Sequence, residues 1–282
     1  MALEIGLQIF SVKKEMSIDF WGTLEKIAGI GYKNIEFANH FAATDYGCGH
    51  NIDAEKLKGY MDRLGLKTIG MHISPLDKTD LDKVIDYNKI IGNKSLVCII
   101  GYFTSKDEVL DFSKWLNRIG EKCRKNGMDL IYHNHYQEFQ KFDKKRALDI
   151  IIENTDKDFV KFELDTYWAI RGGADPTEYL RKLGSRCELI HIKGLPSSVE
   201  PVNIFEIIGE DARIDGVTKP VEISKPEYFT EIGEGVIDIK SIIGEAQKIG
   251  VAKYLIVEQD RSLRNELESI EISYKTLSKV LR

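Results

Sequence analysis

The stretch Phe162-Glu163-Leu164-Asp165-Thr166-Tyr167-Trp168 is an apolar strand pattern that carries two acids at its end. Packing alone does not require charge at the end of a buried strand, so we interpret this stretch as the centre of an active site. Three more strand-like runs end in polar residues: Tyr132-His133-Asn134-His135, Leu189-Ile190-His191-Ile192-Lys193 and Leu255-Ile256-Val257-Glu258-Gln259-Asp260. The chain is organised around these four strand ends.

Strand and helix patterns alternate along the whole chain. Strands are predicted over 2–9, 34–38, 67–73, 95–100, 128–133, 159–165, 187–193 and 253–258. Helices are predicted over 18–29, 53–64, 81–91, 105–126, 144–153, from 175 onward, 238–249 and 263–281. Eight such units imply parallel strands with right-handed crossovers, and closure into a barrel is the simplest arrangement for them. The predicted fold is α/β, a single (β/α)8 TIM barrel domain over residues 1–282.

An open, doubly wound sheet is the alternative fold. A dinucleotide-binding sheet of that kind carries a glycine-rich turn after its first strand. Residues 10–15, which follow the first predicted strand, contain no glycine. The barrel is therefore preferred.

One connection, between strand seven and the helix that follows it, is much longer than the others. Residues 195–235 hold four of the six prolines of the chain. They are Pro196, Pro201, Pro220 and Pro226. Because long irregular loops in compact domains usually contact or cover ligands, we predict a lid here. The turn Gly233-Glu234-Gly235 is interpreted as the hinge of this loop rather than as a phosphate site, since Glu231 and Glu234 place negative charge there.

Composition favours an enzyme that acts on small molecules. The chain has 282 residues, a formal net charge of −5 and 43% hydrophobic residues, which argues against a nucleic-acid partner. Its four cysteines have no paired spacing, which indicates reduced thiols and a cytoplasmic protein. We also expect no export signal and no membrane contact. A homo-oligomer stays possible.

Polar residues gather at the predicted strand ends, which converge on one face of a parallel barrel. They are Gln8, Glu36, His72, His133, His135, Glu138, Glu163, Asp165, His191, Lys193, Glu258 and Asp260. Histidines and carboxylates together are the ligand types that Mn²⁺, Co²⁺, Zn²⁺ or Mg²⁺ takes in proteins. The sequence therefore predicts a site for a divalent metal.

Several of these residues also have a structural explanation. His72 and His133 are each compatible with a hydrogen-bonded core histidine, and strand alternation can aim Glu36 at the helix layer. Glu163 and Asp165 are two residues apart, so both face the same side of their strand, one in the upper barrel layer and the other at its mouth.

Two histidines fall outside this set. His40 and His50 are interpreted as loop residues.

Nearly the whole chain resembles the sugar phosphate isomerase/epimerase family of xylose-isomerase-like TIM barrels. The stretches that carry the resemblance are 6–12 (GLQIFSV), 31–36 (GYKNIE), 132–139 (YHNHYQEF), 163–168 (ELDTYW), 191–194 (HIKG), 233–238 (GEGVID) and 257–260 (VEQD). The resemblance implies one divalent ion, held by ligands from strands five to eight. Asp165, His191 and Glu258 match three of those ligands. Many family members have a glutamate at the tip of strand five, where this chain has His133, so we predict Glu138 as the fourth ligand and keep His133 as the alternative.

The resemblance also implies chemistry on a sugar, keto-sugar or inositol derivative. A divalent ion polarises a carbonyl and stabilises an enediolate, which makes the neighbouring C–H proton easier to remove. Return of the proton gives isomerisation or epimerisation, which we place first, and loss of a β-hydroxyl gives a lyase of the inosose dehydratase or keto-glycoside-eliminating type. The candidate catalytic residues are Glu258, His135, Glu138 and Lys193, and the candidate substrate-binding residues are Glu36, His72, His133 and Trp168.

Two other functions share this barrel. An endonuclease for abasic DNA would need a basic surface and more metal ligands than the sequence offers. A binding protein that has lost its metal would not depend on Asp165 or His191.

Overall fold

Eight parallel strands close into a barrel in the computed structural model, which describes residues 3–216 and 222–282. The strands are β1 (Glu4–Gln8), β2 (Asn34–Asn39), β3 (Lys67–Ile73), β4 (Ser95–Cys98), β5 (Asp129–His133), β6 (Val160–Asp165), β7 (Cys187–Ile192) and β8 (Tyr254–Val257). Each strand pairs with the next, and β8 returns to β1, where Leu7 pairs with Val257. The predicted (β/α)8 fold is confirmed.

Helices follow the strands and cover the outside of the barrel. They are α1 (Lys13–Ile18), α2 (Phe20–Ile30), α3 (Ala54–Leu64), α4 (Leu81–Ile90), α5 (Lys106–Lys125), α6 (Ala147–Asn154), α7 (Thr166–Arg171), α8 (Pro176–Leu183), α9 (Phe205–Ile208), α10 (Ile239–Ile249) and α11 (Glu266–Val280). Many of these helices are capped by the side chain of the residue before their first turn. The capping residues include Asp53, Asp80, Ser105, Asp175 and Asp238. Such caps satisfy backbone N–H groups that have no partner within the helix.

Two helices differ from their predictions for local reasons. The helix predicted over 18–29 begins at Phe20, because Asp19 leaves the helical conformation and caps α2 by accepting from the Gly22 N–H, and a separate short helix, α1, precedes it. The helix predicted from residue 144 begins later, at Ala147. Residues 141–146 form a short antiparallel hairpin instead, and Asp143 and Lys144 take the positive φ angles of its turn.

The barrel interior has an apolar layer below a polar one. Aliphatic side chains from opposite sides of the barrel pack together in the lower layer: Ile69, Val97, Ile99, Ile131, Leu189 and Ile256. Side chains alternate along a strand, so the residue two positions further also points inward. That position holds His133, His191 and Glu258 in three of these strands, which lifts polar groups above the aliphatic layer.

Two strand pairings are irregular beside acids that point into the barrel. The β2–β3 register shifts between Ile35 and Glu36, and the β6–β7 register shifts between Phe162 and Glu163. Bulges of this kind re-aim side chains and occur often near active sites. The extra residue of each shift lies in the partner strand, Ile69 in β3 and Glu188 in β7. Glu36 and Glu163 keep the alternation of their own strands, face the barrel interior and are fully buried.

The predicted lid forms part of the wall of a cavity above the strands. Gly194 and Thr230 form an antiparallel bridge at its base, and Ile214 forms another with Phe103. Ile214 and Ile223 line the cavity. Pro220, one of its four prolines, lies outside the described residues. Within the two described ranges, no helix is long and apolar enough to cross a membrane.

Candidate metal centre

Four ligand-type side chains meet at the carboxyl ends of β5 to β8. They are His133, Asp165, His191 and Glu258, and each offers one donor atom within 4.8 Å of the others. We call this set the upper cluster. His191 Nδ1 lies 2.9 Å from Glu258 Oε2, and His133 Nε2 lies 3.8 Å from Asp165 Oδ2. Four strands that are adjacent in the barrel thus supply one donor each.

Two more carboxylates, Glu36 and Glu163, lie beneath the upper cluster, and we call them the acid pair. His133 Nδ1 is 2.9 Å from Glu163 Oε2, and His191 Nε2 is 2.6 Å from Glu36 Oε2. His72 Nε2 lies between the two acids, 2.9 Å from Glu163 Oε2 and 3.2 Å from Glu36 Oε2. The acid pair therefore contacts three imidazoles at once.

The histidines of this region have pKa values shifted in opposite directions. Burial lowers the pKa of His72, but Glu36 and Glu163 outweigh it and raise the pKa to about 9. Burial and the nearby His191 lower the pKa of His133 to about 3, despite Glu163. The pKa of His191 is raised well above its ordinary value, because Glu163, Glu258 and Glu36 together outweigh its burial. Without a metal ion, protons on His72 and His191 thus offset part of the carboxylate charge.

Lys193 is the buried ammonium of the site. Its Nζ lies 2.6 Å from Glu258 Oε2, 2.9 Å from Asp260 Oδ1 and 3.0 Å from Asp165 Oδ2. Burial lowers the pKa of Lys193, but these carboxylates, Asp165 first, raise it well above the ordinary value. Lys193 is therefore charged and joins the upper cluster to Asp260.

A cavity of about 380 Å³ opens above the upper cluster, a size typical of small-molecule sites. Its lining includes His133 and Glu258 below and His135, Trp168 and Gln137 at the side. Among the described residues, three buried nitrogens at the side have no hydrogen-bond partner: His135 Nδ1, Trp168 Nε1 and Gln137 Nε2. Burial, with His133 next, keeps the pKa of His135 well below its ordinary value, so its imidazole is neutral.

Glu138 does not come together with the other three predicted ligands. Its Oε1 accepts hydrogen bonds from the Tyr132 hydroxyl at 2.7 Å and the Gly101 N–H at 3.3 Å, and its Oε2 accepts from the His135 N–H at 2.8 Å. Both carboxylate oxygens are thus used to fix the loop after β5. His133 takes the position in the upper cluster for which Glu138 was predicted, because it is the inward-facing residue at the tip of that strand.

The upper cluster fits a divalent cation by charge and by donor type. With the acid pair, it places four buried carboxylates near one buried ammonium, Lys193. Asp165 Oδ2 makes no aligned hydrogen bond, although Lys193 Nζ lies 3.0 Å away, and Glu36 Oε1 and Glu163 Oε1 also lack aligned donors. Two imidazoles and two carboxylates suit Zn²⁺, Co²⁺, Fe²⁺ or Mn²⁺ better than Mg²⁺.

A second set of four could also hold an ion, namely His72, His133, Glu163 and His191. It shares two histidines with the upper cluster and lies deeper in the barrel. Each set places two residues in the lining of the cavity, His133 with Glu258 in the upper cluster and His72 with His133 in the deeper set. We favour the upper cluster because its donors come from the ends of four adjacent strands and two of them are carboxylates. In the deeper set, the oxygens of Glu163 already face three imidazoles.

Most predicted site residues lie in this region, and a few others were missed. Glu36, predicted to bind substrate, instead contacts His191 and His72, while Trp168 lines the cavity. His40 was interpreted as a loop residue but also lines the cavity. It directly follows the last residue of β2, and that adjacency was the signal available in the sequence.

The closed barrel and the cluster at its strand ends define a TIM-barrel protein with a candidate metal site. Residues 24–279 match the sequence profile of the xylose isomerase-like TIM barrel family, so the chain belongs to that family.

Relatives and solved structures carry several different names. The chain is 24% identical over 265 residues to an inosose dehydratase from Geobacillus kaustophilus. The match covers 84% of this chain and 79% of that relative. A sugar phosphate isomerase/epimerase from Parabacteroides distasonis has a TM-score of 0.76 at 24% identity, covering 100% of this chain and 96% of that one. The IolI protein, solved with a bound zinc atom, has a TM-score of 0.70 at 16% identity, covering 100% and 98%.

Proposed function

We propose that this protein is a divalent-metal-dependent dehydratase of a cyclic polyhydroxylated ketone. The observation that carries the proposal is the upper cluster at the floor of the cavity, where His133, Asp165, His191 and Glu258 converge. These four residues would hold the ion. The zinc in the IolI structure supports a metal in a barrel of this kind.

An ion held there would act as a Lewis acid on a substrate carbonyl. Lys193 provides a fixed positive charge beside the same site, since its Nζ lies 2.6 Å from Glu258. Such a buried ammonium stabilises negative charge that develops on a substrate oxygen at the ion. The neutral His135 lines the cavity and is our candidate for accepting the proton next to the carbonyl.

The cavity wall supports an oxygen-rich substrate. Trp168 Nε1 and Gln137 Nε2 are buried donors without an acceptor, and leaving such groups unpaired costs about 1–3 kcal/mol each. Hydroxyl or carbonyl oxygens of a sugar or inositol derivative would satisfy both. The Trp168 ring also offers an apolar surface for the C–H face of a ring.

Elimination and isomerisation share the same first proton transfer, and one relative supports the first of them. The matching Geobacillus protein is an inosose dehydratase, which favours elimination over the isomerisation that the sequence analysis placed first. Isomerisation is therefore the second outcome to test.

The test is incubation of Zn²⁺-, Co²⁺- or Mn²⁺-loaded protein with a panel of keto-sugars and inososes in D₂O, followed by NMR. Loss of water with formation of an unsaturated or diketone product supports the dehydratase. Solvent deuterium in recovered substrate or its isomer supports an isomerase or epimerase instead. If no member of the panel undergoes elimination or exchange, the proposal is contradicted.

Matched variants connect the activity to the site. Asp165→Asn removes a predicted ligand and should abolish both metal binding and turnover. Asp175→Asn changes the same residue type at the cap of α8, where Asn caps about as well as Asp, and should retain both.

A further inference from the structure

We infer that Glu163 is a positioning residue that makes His133 a metal ligand, and that Glu36 does the same for His191. The inference rests on the proposed metal site and concerns how this chain builds it. Histidine ligands usually donate their second ring N–H to a carboxylate or carbonyl, which fixes the tautomer and makes the ligand nitrogen more basic. The acid pair is placed to do this for both histidines.

The two nitrogens of His133 face different partners. Nδ1 is 2.9 Å from Glu163 Oε2, so the proton lies on Nδ1. Nε2 then carries the lone pair and points to the upper cluster, where Asp165 Oδ2 is 3.8 Å away. His133 is therefore assigned to bind the ion through Nε2.

His191 is arranged the opposite way round. Its Nε2 is 2.6 Å from Glu36 Oε2 and 3.1 Å from Glu163 Oε1, so Nε2 is the protonated nitrogen in the metal-bound form. Its Nδ1 faces Glu258 Oε2 at 2.9 Å, within the upper cluster. His191 is assigned to bind through Nδ1.

The backbone supports a dedicated role for the acid pair. Two barrel pairings in the described chain have a register shift. One shift lies immediately before Glu36 and the other immediately before Glu163. The extra residue of each shift lies in the neighbouring strand, so the shift sets where the imidazole of that strand, His72 or His191, lies relative to the carboxylate. Glu163 and His133 also lie directly opposite each other in the β5–β6 register.

The pairing has a chemical consequence for the tip of β5. An imidazole there, in place of a carboxylate, functions as an oriented ligand only if something accepts its second N–H, and Glu163 supplies that acceptor. A carboxylate at position 133 would instead lie against Glu163, and two like charges in a buried site repel. Positions 133 and 163 should therefore depend on each other.

A double-mutant cycle tests this dependence through metal affinity rather than activity. The proteins are wild type, Glu163→Gln, His133→Glu and His133→Glu/Glu163→Gln, and the measurement is the Kd for Co²⁺ from its absorption bands, with Zn²⁺ by chelator competition. We expect Glu163→Gln to weaken binding by about 10–100-fold when His133 is present, the usual effect of removing such a partner. In the His133→Glu background the same change should weaken binding much less, because a carboxylate at position 133 has no ring N–H for Glu163 to accept.

Equal effects of Glu163→Gln in both backgrounds, or none in either, would overturn the inference. Glu231→Gln removes a buried carboxylate that pairs with Arg264 outside the upper cluster, and should leave the Kd unchanged. If wild type binds neither Co²⁺ nor Zn²⁺, the proposed function fails. If wild type binds and the cycle shows no coupling, only this inference fails.

The tautomers give a second readout that holds even if a variant folds poorly. In Zn²⁺-loaded, ¹⁵N-histidine-labelled wild-type protein, NMR should find the proton of His133 on Nδ1 and that of His191 on Nε2. Coordination of His133 through Nδ1 would contradict the assignment.

Discussion

The carboxylate of Glu36 occupies the space that a side chain on Gly70 would need. The two residues are register partners in β2 and β3, and a Cβ at Gly70 would lie closer to Glu36 Oε1 than real Cβ contacts allow. Glycine at this position on β3 therefore gives Glu36 room to reach His191.

Gly70→Ala should disturb the metal site without touching a ligand. The added methyl displaces Glu36 from His191, so we expect a loss of about 1–3 kcal/mol in the free energy of unfolding from overpacking and weaker Zn²⁺ binding by about 10-fold. Denaturant unfolding and chelator competition measure the two effects. Gly59→Ala, in α3 with open space around it, should instead stabilise the protein and leave Zn²⁺ binding unchanged. Normal Zn²⁺ affinity in Gly70→Ala would contradict this role.

The barrel and the positions of all four upper-cluster residues were predictable, because strand periodicity and polar strand ends are properties of the sequence itself. The family resemblance then singled out three of them as ligands and kept His133 as an alternative. Asp165, His191 and Glu258 each follow an apolar strand run. The contacts of the acid pair were harder to predict, because alternation gives the side of a strand on which a residue lies but not the register of the neighbouring strand that brings an imidazole to it. Glu36 was accordingly left between two directions, and Glu163 between the upper layer and the mouth of the barrel.

The choice between Glu138 and His133 depended on a loop conformation that no pattern specifies. Carboxylate preference alone favoured Glu138, but the 3₁₀ turn over Gln137–Phe139 directs it to the Tyr132 hydroxyl and the His135 N–H. Local hydrogen bonding thus decided which side chain enters the cluster.

Glu138 should make the stability of the metal-free protein fall as pH rises. Burial raises its pKa in the folded protein from 4.5 to about 7. The folded state therefore binds this proton more tightly, and the contribution is full below about pH 4.5 and is lost as pH rises through about 7. Glu138→Gln removes the titration, so its free energy of unfolding relative to wild type should rise by about 3 kcal/mol between pH 4.5 and 8.

Urea unfolding across this pH range measures the difference. Glutamine leaves the His135 N–H without its acceptor, so the variant starts less stable at low pH. The prediction concerns how the difference in free energy of unfolding changes with pH, and not its value at low pH. Glu108→Gln is the contrasting control, because backbone and side-chain hydrogen bonds from Thr104 lower the pKa of Glu108, and its contribution is lost as pH falls instead. Parallel profiles for wild type and Glu138→Gln would contradict the prediction.

Lys193→Met should make the fold depend on metal. It leaves Asp165, Glu258 and Asp260 without their shared ammonium, and breaking a buried ion pair by removing one partner costs about 3–5 kcal/mol. A divalent ion would replace the missing positive charge, so Zn²⁺ should raise the Tm of this variant more than that of wild type. Thermal unfolding with and without Zn²⁺ provides the comparison.

Lys13→Met is the matched control for that experiment. Lys13 Nζ donates to the Asp260 backbone carbonyl at 2.6 Å and lies over the Phe10 ring. Its removal should leave the Zn²⁺-induced rise in Tm as in wild type. Equal rises in all three proteins would mean that Lys193 and the ion do not share the same carboxylates.

Trp168→Phe should separate substrate binding from folding. The Trp168 indole N–H is buried at 3% exposure and has no acceptor, although its ring packs near His135 and Lys193. Phenylalanine keeps an aromatic ring and removes only a donor that the fold does not use, so the free energy of unfolding should change by no more than about 1 kcal/mol. A lost hydrogen bond to the substrate of about 1–1.5 kcal/mol should raise KM about 10-fold. Because that bond forms equally in the ground and transition states, kcat should stay unchanged.

Steady-state kinetics with the substrate that the NMR panel identifies measures both constants. The control is Trp21→Phe, because Trp21 packs against Phe20 and Tyr60 on the outer helices, and this change should leave KM unaltered. An unchanged KM in Trp168→Phe would show that the indole N–H does not meet the substrate.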